Sequence, residues 1–406
     1  MHFRLVAAKW LKVVFAIVAV LFIEETLRNA GRYGDYIGYT IAGNYVLNGE
    51  NLYSHWLNTW PPVFSIFTVP IAIFDSIAPL LTRIVWQSLM LLACYGLWQE
   101  MARFFLAKRI GWSEKAEEDG CISIWTPWLM VSFLLSFKFL LDNSANLQVN
   151  VLMLFLALKS ARLNQENKLL GASFLLGLSI ALKVYTIFFL IWLLFQRQWR
   201  MSALTLVWIA LISALCLPVF GLHQTLDYYK EWWTTIANAY PMLMHKNQSL
   251  LGAFWRFTVN EDPGIGFTLN VIDLSIDQSK KLFYLVVSLI ALIPAWHWRT
   301  KIRDQHSSLW KNATAVILTL TPLLSPLSWK AYYVFLIPLI FWQLANWPTL
   351  EKGRRILFVV GTVLIWIGAD AFVGPRISDI SEAISIIPIG AILMVFSIKF
   401  KPVFVK

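Results

Sequence analysis

The chain has 406 residues, of which 58% are hydrophobic and 14% are charged, and its mean hydropathy is +0.62. Soluble domains carry about 25% charged residues, so a surface this poor in charge faces lipid, and a soluble enzyme is excluded. The net charge of +11 does not indicate nucleic-acid binding, because the basic residues lie in short clusters between apolar segments.

Apolar segments recur along the whole chain and predict about twelve membrane-spanning helices. The predicted spans are 11–28, 84–106, 122–141, 147–161, 169–182, 184–195, 201–219, 282–298, 312–327, 331–345, 356–373 and 384–400. A further apolar segment, 61–79, is predicted to be a re-entrant or interfacial helix, because counting it as a crossing moves two basic clusters to the outside. The predicted fold class is an all-α, polytopic transmembrane helical bundle.

The basic clusters place both chain termini in the cytoplasm, and the clusters at 299–311 and 399–406 are among those that support this topology. The predicted divisions are a transmembrane module over 1–220 with a large first outer loop at 29–83, an outer interfacial loop over 221–281, and C-terminal helices over 282–406. We expect an integral protein of the plasma (inner) membrane with its functional residues on the non-cytoplasmic face.

The first outer loop carries an acidic residue just beyond the first span. Asp35 lies among glycines and aromatic residues, which include Tyr39 and Tyr53. A carboxylate in this position can accept a proton from an attacking hydroxyl group. The same pattern is also typical of a solvated loop aspartate or a turn cap, and spacing alone does not separate these readings.

Two polar features interrupt the apolar segments further along the chain. Asn146, Gln148 and Asn150 stand at alternate positions between two spans, where they form either a simple turn or part of a site. Lys183 stands between two apolar runs. An ammonium group there is costly and is therefore a functional candidate, unless its side chain extends to the interface.

The long outer loop contains His245, Asn247 and Gln248, and Arg256 follows a few residues later. An arginine offers a bidentate fork and a lysine a point charge, so a basic and amide-rich stretch suits a phosphate group. A polar loop that leads into an amphipathic helix has the same composition, and both interpretations stay open.

A third group of residues stands at a predicted outer helix junction and comprises Trp329, Lys330 and Tyr332. Together the three regions put one acid and several cations on one side of the membrane. Such a set suits a sugar phosphate, because cations hold the leaving phosphate while a carboxylate activates the nucleophile. The histidines and cysteines show no ligand spacing, so no metal site and no cofactor are predicted, although a divalent metal is not excluded.

The order of these motifs resembles the GT-C glycosyltransferases, and most closely the polyprenyl-phosphate-mannose-dependent mannosyltransferases of glycosyltransferase family eighty-seven. The matching pieces are Asp35 with 49–53, Trp60-Pro-Pro62, 146–150, 177–183, 247–256 and 325–329. The resemblance implies a GT-C-like bundle that moves a mannose-like hexose from polyprenyl phosphate, with inversion, to a glycan or glycolipid acceptor of the cell envelope.

The resemblance also implies roles for individual residues. Asp35 would be the general base, and Lys183, Arg256 and Lys330 would hold the donor phosphate. The implied substrate contacts are Tyr39, Tyr53, His245, Asn247, Gln248, Trp329 and Tyr332. The chain departs from the family after Trp329, where members often carry one or two histidines. Lys330 or Tyr332 replaces that function, or the substrates differ. The stretch 146–150 also lacks the family's common glycine before glutamine, which leaves its role doubtful.

Two other functions stay open at this point. A lipid or glycolipid transporter would use the same outward cations for headgroups and would not need Asp35. A non-catalytic subunit of a cell-envelope assembly would tolerate the loss of Lys183 and Arg256. A nucleotide-sugar donor is disfavoured, because the sequence has no glycine-rich phosphate loop or dinucleotide-binding pattern.

Overall fold

The computed structural model describes residues 2–55, 57–237, 243–298 and 304–399. Over these residues the chain is almost entirely helical, which confirms the all-α prediction. The basic clusters at 299–303 and 400–406, which support the predicted topology, lie outside the described residues.

The contacts of the chain divide it into two compact units. Unit 1 comprises Met1–Leu190 and Trp199–Ala237, and unit 2 comprises Ile191–Gln198 and Asn238–Lys406.

Unit 1 is built from ten helices in its described part, the eighth of which ends in unit 2. They are α1 (His2–Arg28), α2 (Tyr36–Asn48), α3 (Pro62–Ile77), α4 (Pro79–Leu106), α5 (Pro127–Ala145), α6 (Asn150–Gln165), α7 (Leu169–Leu182), α8 (Ile187–Phe195), α9 (Trp199–Ser213) and α10 (Leu217–Ala237). Two short strands, β1 (Ile110–Gly111) and β2 (Ile122–Ser123), pair in parallel after α4.

Helices α2 and α3, which lie in the predicted first outer loop, pack at very short range. A Cβ atom on Gly43 would lie 2.6 Å from the carbonyl oxygen of Thr68, so only glycine permits this approach. Pro61 and Pro62 begin α3, because a proline in the first turn loses no helical hydrogen bond. This packing fixes the direction in which α2 presents its N-terminal residue.

Unit 2 contains seven further helices in its described part. They are α11 (Leu250–Thr258), α12 (Ile276–Trp298), α13 (Ser308–Leu324), α14 (Ile337–Ala345), α15 (Lys352–Ile367), α16 (Asp370–Ala383) and α17 (Ile386–Phe396). A 3-10 helix over Lys330–Leu336 leads into α14, and its residues 331–336 are all buried.

Each predicted span overlaps a helix, but few of the helices are long. Among the described residues, Pro79–Leu106 and the continuous segment Trp199–Thr234 are long and apolar enough to cross a membrane, and the bent pair Lys352–Ile367 and Phe372–Ala383 would make a third. Prolines and short 3-10 turns divide the other apolar segments into shorter helices. The membrane character is supported, while the count of twelve spans stays a prediction.

The predicted outer loop 221–281 is largely helical. Residues 221–237 lie in α10, all of α11 falls inside the segment, and α12 begins at Ile276. Gly221, with φ +73°, changes the chain direction near the start of α10. Tyr228, Tyr229, Trp232 and Trp233 therefore belong to α10, and the contact boundary between the units falls within the segment.

Candidate functional site

The structure places the predicted site residues in two clusters, one in each unit. The first cluster comprises Asp35, Gln148, Asn150 and Lys183 in unit 1. The second cluster, in unit 2, is formed around His245, Gln248, Arg256 and Lys330, with acidic residues of α16.

Asp35 stands at the N-terminus of α2, where a glycine lets two loops touch. The backbone N–H of Asp35 donates to the carbonyl of Asn146 at 3.1 Å. Gly34 has φ +46°, and a Cβ atom there would lie 2.8 Å from the backbone of Asn146. The Asp35 side chain makes no capping hydrogen bond to α2, so the turn-cap reading of this residue does not hold.

The first cluster is a continuous hydrogen-bonded chain. The Gln148 Nε2 donates to the Asp35 carboxylate, and the Gln148 Oε1 accepts from the Lys183 ammonium at 3.1 Å. Lys183 also donates to Asn150 Oδ1 at 2.8 Å, and its Nζ lies 5.0 Å from the centre of the Tyr185 ring. Lys183 is 3% exposed, so its side chain does not extend to an interface.

The turn that carries Gln148 is held by helix α4. Leu147 adopts φ +49°, an uncommon conformation for a leucine, and its carbonyl accepts from the Trp86 indole N–H at 2.9 Å. Gln87 donates to the carbonyl of Ser144 at 2.9 Å. These contacts hold the amide of Gln148 in place between the Asp35 carboxylate and the Lys183 ammonium.

Burial shifts the protonation equilibria of both charged groups, which lie outside the predicted spans. It raises the pKa of the Asp35 carboxyl, while the Lys183 charge and the Gln148 hydrogen bond act in the opposite direction. Burial lowers the pKa of the Lys183 ammonium, and the charge of Asp35 opposes that change. A carboxyl group with a raised pKa is a more effective base near neutral pH.

The two tyrosines predicted to contact substrate have structural surroundings in unit 1. Tyr39 is fully buried, with its ring centre 4.8 Å from that of Trp60 and 5.5 Å from that of Trp86. The Tyr53 hydroxyl donates to the carbonyl of Trp60 at 2.8 Å. Tyr39 therefore forms part of the packing beside Asp35, and Tyr53 connects two parts of the segment between α2 and α3.

In unit 2 the matching pieces 247–256 and 325–329 are joined directly. Asn247 Oδ1 accepts from the backbone N–H groups of Ser249 and Ser328, at 3.1 and 3.0 Å. The backbone N–H of Gln248 donates to the carbonyl of Ser328 at 2.6 Å, and the Tyr333 hydroxyl donates to the carbonyl of Gln248 at 2.6 Å. The polar residues of both motifs thus fasten one loop to another.

Arg256 is fully buried and its donors are occupied by the protein. Its guanidinium donates to the carbonyls of Ala383, Met244 and Asn247 at 2.8, 3.0 and 2.7 Å, and to the Ser385 hydroxyl at 2.6 Å. These contacts give Arg256 a structural role in unit 2, and its predicted role in donor binding stays a prediction.

Arg256→Met should destabilise the protein by about 3–5 kcal/mol, because three buried carbonyls and a hydroxyl lose their donor. Thermal unfolding in detergent measures this loss. Arg376→Met, which removes an exposed arginine of the same unit, should change the melting temperature little. A stable Arg256→Met protein with a raised KM for donor would instead indicate a phosphate-binding role.

Lys330 lies between acidic residues that the sequence analysis did not identify. Its ammonium contacts the buried carboxylate of Glu382 and lies 3.2 Å from Asp370 Oδ1. Tyr332 is buried, and Trp329, which precedes Lys330 in the chain, is half-buried. Lys330 is thus already neutralised by carboxylates, and its predicted contact with a donor phosphate stays a prediction.

His245 is buried against the same acidic helix. Its Nδ1 lies 3.0 Å from the carbonyl of Pro263, and its Nε2 lies 3.2 Å from Asp379 Oδ1. The metal-ligating atoms of His245, Asp379 and Glu382 all lie within 4.8 Å of one another.

Sequence reasoning missed the acids of α16 and left Gln148 without an assigned role. A signal for the acids was present, because Asp379 and Glu382 are three residues apart and therefore lie on one face of a helix. The bridging role of Gln148 depends on the conformation of one turn, which composition and spacing do not reveal.

The comparisons with known proteins agree with the motif pattern. Residues 58–326 match the family described as Glycosyltransferase family 87, whereas no curated protein and no solved structure gave a significant match. The matched segment includes Lys183 and Arg256, whereas Asp35 lies 23 residues before its start and Lys330 lies four residues after its end. Because this segment covers well over half of the 406 residues, the predicted resemblance is confirmed and the chain belongs to glycosyltransferase family 87.

Proposed function

We propose that the chain transfers a mannose-like hexose from polyprenyl phosphate to a glycan or glycolipid acceptor on the non-cytoplasmic face of the plasma membrane. The observation that carries this proposal is the hydrogen-bonded network that joins Asp35 to Lys183 through Gln148. It supplies a proton acceptor and a positive charge within the reach of one glutamine side chain.

The proposed reaction is a direct displacement at the anomeric carbon. Asp35 takes the proton of the acceptor hydroxyl while the hydroxyl oxygen forms a bond to that carbon. The bond between the carbon and the phosphate oxygen breaks, and polyprenyl phosphate leaves with the electron pair. The Lys183 ammonium stabilises the charge that develops on the leaving phosphate. Attack from the face opposite the leaving group inverts the configuration.

Gln148 is proposed to position both reacting groups. Its amide N–H contacts the carboxylate and its carbonyl oxygen accepts from the ammonium, so one side chain sets the orientation of each. Asn150 gives Lys183 a second fixed acceptor. Such preorganisation lowers the reorganisation needed when charge moves from the acceptor to the phosphate.

Family membership favours an enzyme over the transporter and the non-catalytic subunit. Lys183 is buried and Asp35 is half-buried, and a fixed charge that is shielded from water acts strongly on a bound substrate. The lipid-linked donor is supported by the apolar character of the chain and by the absence of a nucleotide-binding motif from its sequence.

Gln148→Met should move the acid limb of the pH–rate profile to higher pH. The hydrogen bond from Gln148 lowers the pKa of Asp35, so its removal raises that pKa further. A base acts only when it is deprotonated, and activity is lost as the pH falls through its pKa. The loss therefore begins at a higher pH in the variant, as measured by kcat/KM for hexose transfer.

Gln99→Met is the matched control for this shift. Gln99 is a buried glutamine of the same unit that donates to the carbonyl of Ile110 at 2.9 Å. Its loss should affect stability and leave the acid limb in place. Identical profiles for wild type and Gln148→Met would argue against Asp35 as the titrating base.

The proposed donor is tested with purified protein and a panel of sugar donors. We expect release of free polyprenyl phosphate from polyprenyl-phosphate mannose in the presence of a glycan or glycolipid acceptor. Nucleotide-linked mannose should give no product under the same conditions. Transfer from the nucleotide donor alone would contradict the proposal.

A further inference from the structure

We infer that His245, Asp379 and Glu382 form a binding site for a divalent transition-metal ion in unit 2. The ligand atoms of these three side chains lie within 4.8 Å of one another. One imidazole nitrogen with two carboxylate groups is a donor set that suits Mn²⁺ or Zn²⁺. The inference concerns metal binding alone and does not depend on the identity of the sugar donor.

The tautomer of His245 directs a lone pair toward the two acids. A carbonyl oxygen can only accept, so the contact of Nδ1 with the carbonyl of Pro263 at 3.0 Å places the proton of the neutral ring on Nδ1. The Nε2 atom then carries a lone pair. Metal-binding histidines are commonly held in this way, with the second ring nitrogen donating to a carbonyl or carboxylate.

The Nε2 atom of His245 faces the Asp379 carboxylate but makes no hydrogen bond to it. His245 is 6% exposed, and its Nε2 has no hydrogen-bond partner among the described residues although it lies 3.2 Å from Asp379 Oδ1. Two lone pairs at this distance repel each other unless a positive charge lies between them. A bound cation supplies that charge, and the competing possibility is a proton on the imidazole.

One glutamine side chain connects the loop and the helix that carry the three ligands. Asp379 and Glu382 lie three residues apart on α16, which puts them on one face of the helix. The Gln248 amide donates to the carbonyl of His245 at 2.5 Å and to the carbonyl of Glu382 at 2.9 Å. One side chain therefore fixes the histidine relative to the acidic helix.

The local charge also favours a cation. Asp370, Asp379 and Glu382 contribute three negative charges, and Lys330 and Arg256 contribute two positive charges, which leaves a balance of minus one. A carboxylate has two oxygens and about four lone-pair directions, so the contact of Lys330 with Glu382 leaves room for an ion. Asp379 is about 41% exposed on its side chain, which gives the ion a path from solvent.

The test is a titration of the purified full chain with Mn²⁺, in which the loss of the free-ion paramagnetic resonance signal reports binding. We expect saturable binding of about one ion per chain. Asp379→Asn should weaken it by more than about tenfold, because one of three ligands is lost. Asp370→Asn removes the same charge nearby without removing a ligand, and it should change the affinity less than about threefold.

Two results would overturn the inference. Wild-type protein that binds neither Mn²⁺ nor Zn²⁺ in a saturable manner would show that His245 is paired with a proton. Equal weakening by Asp379→Asn and Asp370→Asn would show that ions are attracted by charge alone. Thermal unfolding of each variant identifies a folding defect, and His245→Gln provides a second ligand variant if Asp379→Asn does not fold.

Discussion

Asp35→Asn should fold like the wild-type protein and lose hexose transfer by about 10²–10⁴-fold, the usual contribution of a general base. Asparagine has the shape of aspartate and can still accept from Gln148, so the network is kept while the proton acceptor is removed. The loss should appear in kcat, with little change in KM for the donor. Transfer is measured as release of polyprenyl phosphate from the lipid-linked sugar.

The control for this substitution is Asp119→Asn, which removes an exposed carboxylate from the same unit. It should retain wild-type activity. An Asp35→Asn protein with full activity would show that another group accepts the proton, and it would remove the basis for the catalytic assignment.

Lys183→Met should reduce kcat/KM for transfer by about 10²-fold, as expected when one fixed group that stabilises developing charge is removed. Methionine fills a similar volume without the charge. Since Lys183 lowers the pKa of Asp35, its loss should also move the acid limb of the pH–rate profile to higher pH. The two effects together distinguish an electrostatic role from general damage to the fold.

Lys168→Met is the corresponding control, because Lys168 is an exposed lysine of the same unit with 65% of its side chain accessible. Its activity and pH profile should match those of the wild type. Unchanged kcat/KM in Lys183→Met would show that the ammonium does not contact the leaving phosphate.

Much of the helical framework follows from apolar patterning alone. Helix α7 has the bounds of the predicted span 169–182, and α1 and α4 contain the predicted spans 11–28 and 84–106 completely. The residues that end helices were harder to anticipate, because the chain turns at a proline or at a residue with positive φ, and the direction of the turn depends on local packing. Gly221 and Gly374 both break helices in this way.

The candidate site was predictable where a charge stands in apolar surroundings, as Lys183 does in the sequence. Asp35 lies among glycines and aromatic residues, and its predicted role came from the family resemblance. The structure joins the two residues through Gln148. Such reasoning is less informative for Arg256, because an arginine in a polar loop looks the same in the sequence whatever its role. It can bind a ligand phosphate or, as in unit 2, donate hydrogen bonds to backbone carbonyls.

The acidic helix of unit 2 was missed because its acids resemble an ordinary solvated turn. Asp379 is 134 residues from His245 along the chain, so no motif with fixed spacing connects them. Their proximity depends on how α16 packs beside the loop that carries Gln248. Only tertiary structure reveals such a constellation.

The most direct test of the proposed catalytic site is a structure of the protein with a non-transferable phosphonate analogue of the polyprenyl-phosphate sugar. We predict that a phosphonate oxygen lies at hydrogen-bonding distance, about 3 Å, from the Lys183 ammonium. The Asp35 carboxylate should face the anomeric carbon with space for one acceptor hydroxyl between them. An analogue bound with its anomeric carbon beyond the reach of Asp35, or with its phosphonate held only by other residues, would contradict this assignment.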